Sequence, residues 1–296
     1  MSKHKVVGDL SKPLALFLTI LAAQGLYFVV PSIPLMFSRL DVMILNPLCQ
    51  EIYPVQVTLD GRPLKNLEEA NFNVSVDGQA VHFKLIRDRA IDAMVLLDAS
   101  GSMAAPTKIE AGKGMTRFIA DRVIASGGKI ALITFNDAIQ LGSDWTSNAD
   151  FLNQALDGIQ GSGSTRLWDA ITEASPYLQA MRSSKPCELT VLVAISDFQD
   201  TASLTSQKDA LTALEGTRVY GMAILYGAYG DVDFASADSI AQATRGRSLR
   251  SNEAKEAIQQ LQTFFDSLYF LQIEQKGHIT ITVSYKETTG SDEIDS

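Results

Sequence analysis

Histidine and cysteine are scarce, with three and two residues in a chain of 296. The few present are far apart. This excludes a histidine-rich zinc centre, a cysteine-held iron–sulfur cluster and a dense disulfide framework. Positive charge is also in deficit. Lys and Arg total 25 against 34 Asp and Glu, a formal charge of −9, which argues against a broad basic surface for nucleic acid. No GxxxxGK(S/T) phosphate loop occurs, since Gly112-Lys113-Gly114 lacks the glycines that should precede it. The DxDx(T/V) arrangement of phosphotransferases is missing too. His4, His82 and His278 all fall outside the central third of the chain, so no histidine base is available there. What remains is a 46% hydrophobic chain, long enough for roughly two average domains. Its route to a metal is through oxygen.

Long apolar runs are absent except for one. Charge is missing from residues 13–38, and residues 14–30 read LALFLTILAAQGLYFVV. Lys3, Lys5 and Lys12 precede them. A basic flank followed by about 20 apolar residues is what a bilayer span requires. The expected reading is a signal anchor over residues 1–38, with the N-terminus inside and the rest across the membrane. A cleaved signal peptide competes, with Ala23 as the last residue removed, although Leu21 is not small as a cleavage site prefers. A buried core helix is the third reading. In an exported chain Cys49 and Cys187 could pair; two separately buried thiols fit the sequence equally well.

Residues 39–89 read as an accessory β segment. Val55, Val57 and Leu59 alternate with polar neighbours, as do Phe72, Val74 and Val76. Asp77-Gly78 is a strong hairpin signal, with Val81, Phe83 and Leu85 expected beyond it. About 45 residues bury a poor core alone. The natural partner is a pair of strands near the other terminus, 270–273 and 279–285. Residues 253–285, a helix followed by these strands, are expected to pack on the accessory segment. The acidic tail 286–296 is expected to be disordered.

Between the flanks, residues 90–252 alternate strand and helix signals. Apolar runs at 93–97, 129–135, 189–195 and 218–225 suit central parallel strands. Helical spacing marks 109–124, 149–156, 167–181 (bent near Pro176), 204–214 and 234–244. This predicts an α/β fold with an open, doubly wound, mostly parallel sheet, whose sites sit beyond the carboxyl ends of the strands.

Three loops carry candidate donors. Asp98-Ala99-Ser100-Gly101-Ser102 follows the first central strand and presents one carboxylate and two hydroxyls at alternating positions. Gly161-Ser162-Gly163-Ser164-Thr165 precedes a helix that begins near Trp168-Asp169. Ile195-Ser196-Asp197 ends the third apolar strand. Hard oxygen donors of this kind suit Mg²⁺, with Mn²⁺ or Ca²⁺ as substitutes. A serine-rich turn capping a helix would explain the first loop alone. Taken together, residues 91–250 resemble the von Willebrand factor type A domain with its metal-ion-dependent adhesion site. Asp98, Ser100 and Ser102 match its DxSxS element, Thr165 the lone threonine of its second loop, and Asp197 the aspartate of its third. One departure is Phe198, where the family commonly has glycine. The layout of anchor, β segment with Gly61-Arg62-Pro63 and Asp77-Gly78, then central domain also resembles a bacterial exported or membrane-anchored subgroup of these proteins.

The resemblance implies a divalent ion with one open position, completed by an acidic residue of a partner protein. It implies a non-enzymatic, metal-dependent binding or adhesion module outside the cytoplasmic membrane, held by its N-terminal helix or secreted, with no nucleic-acid partner. A Mg²⁺-dependent hydrolase and a scaffold that uses no ion are the other two classes. Asp200 reads as a solvated loop residue or a support for the site, and Arg245, Arg247 and Arg250 as a solvated helix end.

Overall fold

The computed structural model describes residues 38–49, 51–87, 89–286 and 288–295. The expected anchor or signal segment lies outside them except for its last residue. Among the described residues no helix is long and apolar enough to cross a membrane.

Six short strands come first: β1 (Leu40–Ile44), β2 (Ile52–Leu59), β3 (Arg62–Pro63), β4 (Phe72–Val76), β5 (Gln79–Ala80) and β6 (Lys84–Ile86). A central unit follows, with β7 (Ile91–Asp98), α1 (Pro106–Ala125), β8 (Ile130–Phe135), β9 (Ile139–Thr146), α2 (Ala149–Asp157) and α3 (Leu167–Ser184). It continues through β10 (Leu189–Ser196), α4 (Gln207–Thr217), β11 (Tyr220–Tyr226), α5 (Phe234–Ala243), β12 (Arg247–Ser251) and α6 (Ala254–Asp266). The chain ends in β13 (Leu268–Gln272), β14 (His278–Tyr285) and β15 (Thr288–Asp295).

The central sheet has the order β12-β11-β10-β7-β8-β9. Neighbours pair in parallel except β9, which is antiparallel to β8. Every residue of β7, β8, β10 and β11 is buried, because helices cover both faces and the strands need no polar side. Strand alternation divides the core. Ala93, Val95 and Leu97 pack with Met115 of α1, Leu152 of α2 and Leu261 of α6. Met94 and Leu96 pack with Ile171 of α3, Leu214 of α4 and Ile240 of α5. Pro176 leaves α3 a single helix of 18 residues.

The two flanks build two further sheets, ordered β1-β2-β13-β6 and β15-β14-β4-β5. They share one core, including Val55, Val57, Val74, Leu271, Ile279 and Ile281. Asp77-Gly78 turns the β4–β5 hairpin as expected. The far side then departs from the sequence reading, since β6 crosses to the other sheet and pairs with β13.

Two expectations need correction. The helix of the C-terminal segment does not pack mainly on the accessory strands: the buried face of α6, Ala257, Leu261, Phe264 and Phe265, belongs to the central core. Phe264 stacks on Tyr220 with ring centroids 5.0 Å apart. Only the strands after α6 join the flank. The tail is not disordered either. It forms β15, because period-2 alternation places Ile294 in the flanking core and the strand has a full ladder on β14. Asp292 accepts the Ile44 N–H at 2.8 Å, and Gly290 lies against the Leu40 carbonyl, where any side chain would collide.

Cys49 and Cys187 form a disulfide with Cα atoms 4.9 Å apart. It ties the β1–β2 connection to the loop between α3 and β10. Arg182 reinforces the junction by donating to the carbonyls of Pro47, at 2.9 Å, and Leu48.

Candidate metal centre

The buried strands β7 and β10 are neighbours, with Ile195 opposite Leu97, so their carboxyl ends open side by side. Asp98, at the last position of β7, is fully buried. Its Oδ1 accepts the Ser100 N–H at 2.8 Å and its Oδ2 accepts the Ser196 hydroxyl at 2.5 Å. Ser100 is buried and Ser102 exposed, and their hydroxyl oxygens are 3.1 Å apart. The first loop therefore directs one carboxylate and two hydroxyls toward one region of the sheet edge.

The second loop is hydrogen-bonded directly to the first. Gly101 N–H donates to the Gly163 carbonyl and Ser162 N–H to the Ala99 carbonyl, both at 2.8 Å. Two glycines permit this approach. A Cβ at Gly161 would stand 2.5 Å from the Ala104 Cα, and Gly163 has φ +78° with the Asp137 carboxylate where a side chain would go. Only glycine meets both demands without strain. Asp137 accepts from the backbone and hydroxyl of Ser164, and the hydroxyl bond holds its carboxyl below the usual range.

The third loop is tied to both others. Ser196 joins it to Asp98. Thr201 and Ala202 N–H both donate to the Thr165 carbonyl at 3.0 Å, and Thr165 N–H donates to the Thr201 hydroxyl at 2.8 Å. Asp197 is 1% exposed and Thr165 4%. Asp197 Oδ1 accepts the Gln199 N–H at 3.1 Å. Among the described residues, no protein group hydrogen-bonds the Thr165 hydroxyl or the second carboxylate oxygen of Asp197.

The five residues singled out in the sequence thus lie on three mutually bonded loops at one sheet edge. Asp98, Ser100 and Ser102 are in direct contact, Asp197 follows the serine that holds Asp98, and Thr165 is fixed by the third loop. Burial pushes the Asp98 carboxyl above its ordinary value. Hydrogen bonds from Ser196 and Ser100 oppose the push, and the negative charge of Asp197 adds to it. Two buried carboxylates that repel each other, with hydroxyls beside them, form a donor set suited to a hard divalent cation. No described cluster of three or more His, Cys, Asp or Glu side chains could hold an ion by itself, so a centre here depends on the hydroxyls. Lys108 and Asp197 flank Gly227, but the ammonium makes no ion pair with either carboxylate among the described residues.

Several supporting residues escape sequence reasoning. Asp200 is no solvated loop residue: it accepts the Leu167 N–H at 2.9 Å and the Ser203 hydroxyl at 2.5 Å. Ser203 in turn accepts the N–H groups of Trp168 and Asp169, completing a cap on α3. Asp169 reciprocates. Burial alone would raise its carboxyl, yet the N–H groups of Leu204 and Thr205, with Arg166, hold it down at about 2. A hydroxyl directly before Asp197 and an acid one turn into α3 were the available signals. Phe198 occupies the left-handed region at φ 65° and is fully buried in the core beneath the third loop. Arg250 pairs with Asp238 at 3.2 Å and lies over the Phe234 ring.

A family model for the von Willebrand factor type A domain matches residues 93–199. A von Willebrand factor type A structure from Catenulispora acidiphila has a TM-score of 0.52 at 11% identity, covering 88% of this chain and 74% of its own. The conserved hypothetical protein BatB from Bacteroides thetaiotaomicron is 17% identical, covering 59% of this chain and 98% of its own at TM-score 0.44. An aerotolerance-related membrane protein from Bacteroides fragilis is 18% identical, covering 60% and 98% at TM-score 0.46. No curated protein matches this chain. The sheet order and the family match agree: the central unit has the von Willebrand factor type A fold, and the family model matches it over residues 93–199.

Proposed function

We propose that this chain is a metal-dependent protein-binding or adhesion module that works outside the cytoplasmic membrane. Asp98, Ser100, Ser102, Thr165 and Asp197 would hold a divalent ion, Mg²⁺ first and Mn²⁺ or Ca²⁺ as substitutes. Direct hydrogen bonding among the three loops that carry them is the observation on which this reading rests. The bound ion would supply Lewis acidity toward an incoming anionic oxygen. Two carboxylates at most neutralise a divalent charge, and three hydroxyls add none, so a Glu or Asp side chain of a partner protein suits the open position. The protein's part is to hold the donors in place. Ser196 fixes the Asp98 carboxylate, while Thr201 and Asp200 fix the loops on either side of Thr165.

Two observations support an exported location. The apolar run over 14–30 follows a lysine-bearing start, and the Cys49–Cys187 disulfide belongs to an oxidising compartment. No histidine lies within residues 90–252, which favours binding over hydrolysis. Calorimetry of the full chain with Mg²⁺, beside Asp98→Ala, tests the centre. We expect saturable binding by the native chain and none by the variant. Absence of binding at millimolar Mg²⁺ would leave a scaffold that uses no ion. Ion-dependent hydrolysis of a phosphoester panel would favour an enzyme.

A further inference from the structure

α1 starts just after the loop of Ser102 and runs 20 residues to Ala125, roughly 30 Å away from the candidate ion at 1.5 Å per residue. At that far end, between the central unit and the β1-β2-β13-β6 sheet, lies a cavity of about 510 Å³. Lys65, Arg87, Arg89 and Arg122 line it, with Asp266 as the one described carboxylate on its wall. Phe265 and Tyr269 add apolar surface. Four cations around one small cavity are unexpected in a chain of net charge −9.

The described neighbours do not account for them. Asp266 is shared between Lys65, at 2.7 Å, and Arg122. The carboxyl-terminal ends of α1 and α6 both reach this cavity, and their dipoles together contribute about one negative charge. Among the described residues, Asp266 and the two helix ends leave roughly two positive charges unmatched. Those charges sit on Arg87 and Arg89. Arg87 donates to the Leu67 carbonyl at 3.2 Å and Arg89 to the Cys187 carbonyl at 2.6 Å. Neither forms an ion pair with a described carboxylate. A guanidinium bonded only to a neutral carbonyl keeps donors for a planar or tetrahedral oxyanion.

We infer that this cavity is a binding site for a phosphate-bearing anion, held by Arg87 and Arg89 with Lys65 at the rim. Its size falls in the range of small-ligand sites, and the aromatic wall can take an organic portion. A free phosphate and a lipid headgroup share this chemistry. The site is separate from the ion face and does not depend on it.

The test uses the full chain in phosphatidylcholine bilayer discs, titrated with inorganic pyrophosphate at low ionic strength. A parallel set of discs contains phosphatidylglycerol. Calorimetry reads pyrophosphate binding, and phenylglyoxal labelling of Arg87 and Arg89 reads occupancy from either source. Pyrophosphate binding that weakens at least tenfold in Arg87→Gln and recovers in part in Arg87→Lys supports a free oxyanion. Protection of both arginines by phosphatidylglycerol alone, lost in Lys65→Gln, supports a lipid phosphate. No binding and no protection overturns the inference. So does binding that Arg87→Gln and Lys65→Gln leave unchanged while thermal unfolding matches the native chain.

Discussion

In the central unit, β7, β8, β10 and β11 are linked through helices that lie directly on the sheet they connect. In the flanking sheets the partners come from opposite ends of the chain, as when the Tyr269 hydroxyl, 205 residues along, bonds the Leu64 carbonyl. Both regions bury apolar strands, yet they close differently. Apart from the β7–β10 pair, the central unit pairs strands that follow one another in the chain. In the flanks β1–β2, β4–β5 and β14–β15 are local hairpins, but joining β13 to β2 and β14 to β4 must overcome the entropy of closing a very long loop. The cross-link and the Arg182 bonds are found where the flank meets the central unit, the junction that such closure leaves most in need of support.

The sharpest way to break this comparison is Cys49→Ser with Cys187→Ser. Freeing a span of 138 residues is expected to cost about 2–5 kcal/mol in denaturant unfolding. Amide exchange should rise in β1, β2 and β13 well before β7 and β10. Equal exchange in both regions would show that they fold as one. Next in size is Phe198→Gly. Loss of the buried ring costs about 3–5 kcal/mol, and relief of the left-handed backbone returns about 1–2 kcal/mol. A net loss of about 1–4 kcal/mol is expected, confined to the central unit; a gain would mean that the ring contributes little. Asp200→Ala removes the cap on α3, worth about 1 kcal/mol, and should weaken Mg²⁺ affinity several-fold by loosening Thr165. Unchanged affinity would separate the cap from the site.

The smallest effect concerns pH and the flank alone. Asp295, then Glu293, hydrogen-bond the exposed His278 ring and raise its pKa above the ordinary 6.5. A histidine with a raised folded value stabilises fully below its unfolded pKa. That contribution disappears as pH climbs through the folded value. NMR titration should place the His278 midpoint above 6.5, with protection of the β14–β15 hairpin falling as pH passes it. A midpoint at or below 6.5 would remove the link.

The same contrast explains which parts of the molecule the residues announced. β7, β8, β10 and β11 are continuous apolar runs because they are covered on both sides. The edges β9 and β12 went unseen, since IQLGSDWT and RSLRS carry no such run and acquire strand structure from a neighbour. The tail went unseen for a similar reason: one buried isoleucine among polar residues is invisible without β14 beside it. The candidate ligands were legible as residue types at strand ends and, for Thr165, just before a helix. Their supports were not, because Ser196, Asp137, Asp169 and Ser203 act through contacts between loops. Thr165 and Thr201, and Leu167 and Asp200, for example, are joined only once the start of α3 and the third loop meet.

The Cys49–Cys187 bridge also sets how this molecule bears tension. A pull applied at the two ends of the chain passes across the sulfur bridge and bypasses the enclosed stretch of 138 residues. That stretch would extend to roughly 470 Å if released, at about 3.4 Å per residue. While the bond is intact, β2 through α3 cannot be extended by force at the termini, and the load falls instead on β10 and the elements after it, outside the enclosed span.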